Sequence, residues 1–264
     1  MKTKTWFIFP LLFILLSCNM TNKYELVWSD EFDYQGLPNS DKWSYDTTGN
    51  AWGWGNHELQ YYTNSEIGNA SVSNGTLKII ALNDTSSISN YTSARLITKD
   101  KGDWLYGRFE IRAKLPDGRG LWPAIWMLPT DWEYGGWPQS GEIDIMENVG
   151  FDPFTIISSV HTSDYNHRIH TEKNNKTTIN DNRNEFHIYG IEWDKTSIKA
   201  FVDDQVYFTF EKEADNPNVW PFDKDFHLLL NIAVGGDWGG QQGIDDSIFP
   251  ATMEIDYVRV YQKK

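Results

Sequence analysis

Three carboxylates, Glu142, Asp144 and Glu147, fall within six residues of the stretch "SGEIDIMENVG" (140–150), among apolar Ile143, Ile145 and Met146. Acids spaced so closely in a run that reads as a strand cannot all ionise cheaply, because like charges at that distance raise at least one pKa. The conflict divides the labour. One Glu stays ionised as a nucleophile, the other keeps its proton as a general acid, and the Asp between them shares a proton or hydrogen bond with the nucleophile. In a regular strand alternate residues share a face, so Glu142 and Asp144 point one way and Glu147 the other. A β-bulge within "DIM" brings Glu147 round to the face of the other two. At about 3.3 Å per residue the two Glu backbones then lie roughly 13 Å apart. Inward-leaning side chains reduce this to the order of the ~5 Å carboxyl gap of a retaining glycosidase. The competing readings are a solvent-facing edge strand and a divalent-metal site. The apolar neighbours argue against the first, and the lack of a His at ligand spacing within the motif argues against the second.

Such a strand needs a rigid sheet behind it. Period-two alternation between Gly, Asn, Asp and Pro punctuation recurs over 76–82, 107–115, 124–128, 142–147, 155–162, 186–193, 197–210, 226–234 and 253–262. "VDDQVYF" reads as a hairpin turning at Asp203-Asp204. Many strands with scarce helix signals predict an all-β sandwich. No repeat, low-complexity tract or linker divides it, so 24–264 is expected to form one domain. The segments 84–93, 131–139 and 166–183 are polar or rich in Gly and Trp, and are expected to be loops rimming a cleft.

Thirteen Trp, thirteen Tyr and fourteen Phe exceed what a core of this size needs, so some rings are expected to line a binding surface. Trp122 and Trp126, four apart, share a strand face if no bulge intervenes, and both are placed to stack on sugar rings. A formal net charge of -14 excludes a nucleic-acid partner, which would need clustered Lys and Arg. A neutral substrate fits better. At the amino end, Lys2 and Lys4 precede the apolar run 6–16, which is too short to span a bilayer and reads as an export signal. It ends in "LLSC", a match to the bacterial lipobox in which the only cysteine, Cys18, becomes the lipidated first residue. The expectation is a signal peptide over 1–17, a tether over 18–23, and an exported lipoprotein held on the outer membrane or cell surface. The lipid is its only membrane contact, and a monomer is expected.

The acid stretch resembles the signature of glycoside hydrolase family 16, and specifically that of the bacterial laminarinases, endo-acting on β-1,3-glucan. The similarity continues through "LVWSDEFD", "WGNHELQYYT", "YTSARLITK", "GRFEIRAKLPDGRGLWPAIWMLP", "NIAVGGDWGG" and "MEIDYVRVYQ". It implies a jelly-roll sandwich of two antiparallel sheets with the substrate cleft on the concave face. It also implies retaining double displacement with Glu142 as nucleophile, Asp144 as assisting acid and Glu147 as acid/base, with no cofactor for catalysis. The E-x-D-x-x-E length resembles the laminarinase, agarase and carrageenase branch, since lichenase-type members carry the shorter E-x-D-x-E. The same mechanism on mixed-linkage β-1,3-1,4-glucan or an algal galactan is one alternative. A surface protein that binds glycan without cleaving it is another. Candidate substrate-binding residues are Trp122, Trp126, Asn56, Glu58, Arg95, Trp137, His161, Asn231 and Trp238, with Arg95 open to a rival role as a structural ion-pair partner. Trp137 is expected at the cleft rim or in a lid. "HRIH" (167–170) superficially suggests a metal pair, but it lacks further ligands nearby, and zinc is rejected. The resemblance further implies a structural calcium on the convex side, at Glu31, the Gly75 carbonyl and Asp256, with Arg259 as the rival partner for the acid in "EIDYVRV".

Overall fold

A computed structural model of the chain describes residues 23–64, 68–84 and 89–264. The expected signal peptide, Cys18 and all of the tether except Lys23 lie outside the described residues. Among those described, the alternating runs become strands of two sheets. The first runs, from one edge, through Gln205–Glu211, Ser197–Val202, His187–Trp193, Gly107–Lys114, Ala251–Lys263, Thr76–Asn83, Tyr91–Ser93 and Gln60–Tyr62. Tyr24–Asp30 and Ala70–Ser73 pair on its flank. The second runs Lys173–Thr178, Asp152–His161, Glu142–Val149, Leu121–Pro129, Phe226–Val234, Arg95–Ile97 and Ser44–Tyr45, with Asp103–Trp104 beside Phe226–Val234. Pairing is antiparallel except between Gln60–Tyr62 and Tyr91–Ser93.

Alternation decides which side chains meet between the sheets. Phe109, Ile111 and Ile191 from the first sheet and Ile125, Ile143 and Leu230 from the second belong to one apolar cluster. The hairpin turns where expected: Asp203 and Asp204 have φ of 48° and 66°, the two left-handed positions of a two-residue turn. Two expectations are corrected. The segment 166–183 holds a 3-10 turn, His167–Ile169, and the edge strand Lys173–Thr178, whose residues "KNNKTT" carry no apolar alternation because this edge faces solvent. Within 84–93, Tyr91–Ser93 is a strand.

Candidate active site

Leu121–Pro129 is a regular strand, paired one for one with Phe226–Val234 from Leu121↔Val234 to Pro129↔Phe226. Trp122 and Trp126 therefore share its outer face. On its other side Trp126 lies opposite Asp144 and Ile125 opposite Met146, which leaves Ile145 with no partner. Ile145 is the bulge residue. The register towards Asp152–His161 shifts at the same place, between Asp144↔Ser159 and Glu147↔Ile157. Ile145 and Met146 both turn into the core, and Glu147 returns to the outer face beside Glu142 and Asp144. Ala124, small and directly opposite Glu147, leaves room for its side chain.

The neighbouring strand supplies the partners. His161 stands opposite Glu142 and Ser159 opposite Asp144. His161 Nε2 lies 3.2 Å from Asp144 Oδ2 and 3.7 Å from Glu142 Oε1. The Ser159 hydroxyl is 2.6 Å from Asp144 Oδ2 and 3.4 Å from Glu147 Oε2. Two indoles complete the set: Trp137 Nε1–H donates to Glu142 Oε2 at 2.9 Å, and Trp122 Nε1–H to Glu147 Oε1 at 3.0 Å. Each Glu thus accepts one indole N–H that fixes its direction.

Burial and then the charge of Asp144 push both Glu residues towards their protonated forms, Glu142 up to about 8 and Glu147 well above the usual carboxylate range. His161, the Trp137 N–H and Arg95 favour the Glu142 anion against this, as His161 and the Trp122 N–H favour that of Glu147. Burial opposes the cation of His161, but the Asp144 hydrogen bond and the surrounding carboxylates outweigh it and lift the imidazole to about 9. A cationic His161 beside Asp144 offsets part of the like charge.

Open space flanks the acids. A lobe of about 570 Å³ beside Glu142 is lined by Trp52, Trp54, Trp126, Trp132 and Trp137. Another of about 560 Å³, reaching Glu147, is lined by Trp122, Trp238, His161, Glu172 and Gln241. Asn56, Glu142 and His167 border both. A cleft with room on both sides of paired carboxylates suits a chain substrate cut internally.

A family model for glycosyl hydrolases family 16 matches residues 56–259. The chain belongs to glycoside hydrolase family 16. It is 52% identical over 267 residues to a β-glucanase of Rhodothermus marinus, covering 96% of this chain and 93% of that protein. The X-ray structure of the laminarinase from Rhodothermus marinus superposes with a TM-score of 0.88 at 53% identity, over 91% of this chain and 98% of that one. A non-specific endo-β-1,3(4)-glucanase of the family, crystallised with an oligosaccharide at its active site, superposes at 0.87 with 47% identity, over 91% and 95% of the two chains. As a family 16 enzyme the protein is a glycoside hydrolase, and its two-sheet architecture is that of the jelly-roll structures it superposes on.

The remaining candidates in this family 16 cleft have varied surroundings. Arg95 lies between the rings of Trp54 and Trp126, at 4.4 and 4.6 Å, with Nε 3.1 Å from Asp46 Oδ2. It pairs with Asp46, as its rival reading allowed, and also lines the cleft beside Glu142. Asn231 accepts from Trp126 Nε1 at 2.7 Å and donates to Tyr62 at 2.9 Å, so it fixes a ring while lining the space beside the acids. Asn56 and Gln60 both donate to Glu58, whose proton affinity burial raises. Trp238 meets Trp122 edge-on at 5.3 Å. Gly239 permits that approach, since a Cβ there would come within 2.9 Å of the Trp122 side chain. Sequence reasoning missed Ser159, Trp54 and His167. Ser159 was signalled by its place two before His161 on one strand face.

The calcium candidates have other partners. Arg259 grips both oxygens of Glu31, at 2.9 and 2.7 Å, and Arg112 donates to Asp256 at 2.6 Å. Gly75, at φ 77°, follows Asn74 in the turn between two strands. Both carboxylates thus rest on guanidinium groups. Among the described residues, three metal-capable side chains converge at Glu142, Asp144 and His161, within the acid cluster itself.

Proposed function

We propose that the protein is an endo-acting, retaining β-1,3-glucanase. Glu147 protonates the glycosidic oxygen as Glu142 attacks the anomeric carbon, and the leaving chain departs with that proton. Glu147, now a base, takes a proton from water, whose oxygen displaces Glu142 from the anomeric carbon with the configuration retained. Asp144, held by Ser159 and His161, keeps a hydrogen-bonding charge between the two. The observation that carries this reading is the bulge at Ile145, which sets three carboxylates on one face of a two-lobed cleft. Indole faces supply affinity for a neutral glucan without charge.

Substitution Glu142→Gln is expected to keep laminarin binding and lose turnover by several orders of magnitude; substantial hydrolysis by this variant would sink the assignment. Mixed-linkage glucan is the second reading, because one similar structure is named a non-specific endo-β-1,3(4)-glucanase. Reducing-sugar release across pure β-1,3-glucan, mixed-linkage glucan and galactans separates the two. A protein that binds every glucan and cleaves none would instead be a glycan-binding member.

Two further proposals concern the periphery. Lipidation at Cys18 would anchor an exported monomer, and Cys18→Ser should then release the protein from the membrane fraction. Calcium at Glu31, Gly75 and Asp256 would require both acids to leave their Arg partners; a thermal midpoint unmoved by millimolar calcium argues against it.

A further inference from the structure

The stretch "NHRIH", rejected above as a metal pair, lies over the acids. His167 packs on the Trp137 ring with centroids 5.0 Å apart and planes at 36°, and the Arg168 guanidinium carbon lies 4.6 Å from the same ring's centroid. Trp137 in turn donates to Glu142. The loop that carries this pair is braced from within. Asn166, 4% exposed, donates through its side chain to the carbonyls of Thr162 and Ser163, at 3.0 and 3.2 Å. Its own N–H goes to Thr171 Oγ1, and that hydroxyl donates to the Asp164 carbonyl at 2.8 Å. The Asp164 N–H reaches the Asn218 carbonyl at 3.0 Å, and Tyr165 donates to Glu213. Supports locked in this way hold their neighbours to within fractions of an ångström.

We propose that His167 and Arg168 are positioning residues for Glu142, acting through Trp137. Two physical effects run along this path. Stacking fixes the plane of the indole and so the direction of its N–H, and a misplacement of 1 Å at a reacting group can cost a hundredfold in rate. A cation over the ring face also draws electron density from the indole, which makes the N–H a stronger donor to the carboxylate anion. Neither residue needs to touch the substrate.

The proposal rests on Glu142 as the nucleophile, so the test separates the two. Labelling with a 2-fluoro glucoside and mapping the modified residue checks the nucleophile alone; a label elsewhere overturns that assignment and leaves the cycle below to be read for itself. The cycle compares wild type, Arg168→Ala, Trp137→Phe and the double variant on an aryl β-glucoside with a good leaving group, so that glycosylation is read without acid assistance. Arg168→Ala is expected to slow glycosylation about two- to fivefold, the size of an exposed cation–π contact. Arg168→Lys should restore most of the rate. Trp137→Phe, which keeps a ring but loses the N–H, should cost about ten- to a hundredfold. The double variant should be no slower than Trp137→Phe, because the path is already cut. In Arg168→Ala the acid limb of the pH–rate profile should move upward. If Trp137→Phe fails to fold, Trp137→His keeps a ring N–H donor and takes its place, and Arg168→Ala should then slow it as it slows wild type. Equal loss from Arg168→Ala in the wild-type and Trp137→Phe backgrounds, or an unmoved acid limb, would overturn the proposal and assign Arg168 to direct contact with glucan.

Discussion

Ser159 stands directly opposite Asp144 and donates its hydroxyl to Asp144 Oδ2 at 2.6 Å, while the same oxygen lies 3.4 Å from Glu147 Oε2. One neutral group thus touches both the middle acid and the candidate acid/base. Substitution Ser159→Ala leaves Asp144 short of one charge-assisted bond, and kcat should fall about tenfold with little change in KM. Steady-state kinetics on laminarin checks this, and an equal rise in KM would place Ser159 in substrate binding instead.

Trp122→Phe removes the indole N–H from Glu147 and leaves an aromatic ring in the cleft. That bond favours the Glu147 anion, so its loss raises proton affinity further. The alkaline limb of kcat/KM should shift to higher pH, and the deglycosylation step, where Glu147 acts after losing its proton, should slow.

Stability should depend on pH in a definite direction. Glu142 rises on folding from its ordinary 4.5 to about 8, and His161 from 6.5 to about 9. A group whose folded value is raised contributes its full stability below the unfolded value and loses it as pH passes the folded one. The thermal midpoint should therefore decline between about pH 4.5 and 9, with Glu147 adding to the same trend. Glu147→Gln should melt higher than wild type at pH 8, by roughly 2–4 °C for each kcal/mol of relieved repulsion. Scanning calorimetry of the two proteins at pH 6 and 8 decides it, and a difference that shrinks at pH 8 contradicts the sign.

Arg95→Met replaces the cation between Trp54 and Trp126 and leaves Asp46, whose side chain is 15% exposed, without its cationic partner and with only Thr48 donating to it. Losing one partner of such a half-buried pair costs about 1–3 kcal/mol. Urea unfolding measures it, and affinity for glucan should fall with it as Trp126 loses its backing.

Thr76–Asn83 was legible almost to the residue because burial on one face writes itself into period two, and Phe226–Val234, buried along its whole length, was legible as a continuous apolar run. Lys173–Thr178 was not, since an edge strand with two wet faces has no reason to alternate. The demand for a bulge could be read from the acids alone, and Ile145 supplies it. Partners that arrive from other strands and loops could not be read in that way. Ser159 meets Asp144 only through sheet register, and Arg95 finds Trp54 through a loop with Trp54 itself at φ 56°. Sequence spacing puts Ser159 on the face of His161 but does not say that Asp144 stands opposite it, and it carries no trace of the Arg95–Trp54 contact. The cation at Glu31, Gly75 and Asp256 was an expectation of the family resemblance, and the pairs Arg259–Glu31 and Arg112–Asp256, 228 and 144 residues apart along the chain, could not be read from spacing.

The unpaired Ile145 has a consequence for how such a site can vary. On either side of it the strand keeps step with Leu121–Pro129, so the extra residue works like a vernier: it sets the distance between the two outer acids without moving that neighbour. A lineage could lengthen or shorten that one strand by a residue and retune the reacting gap while the walls of the cleft, and the rings mounted on them, stay where they are.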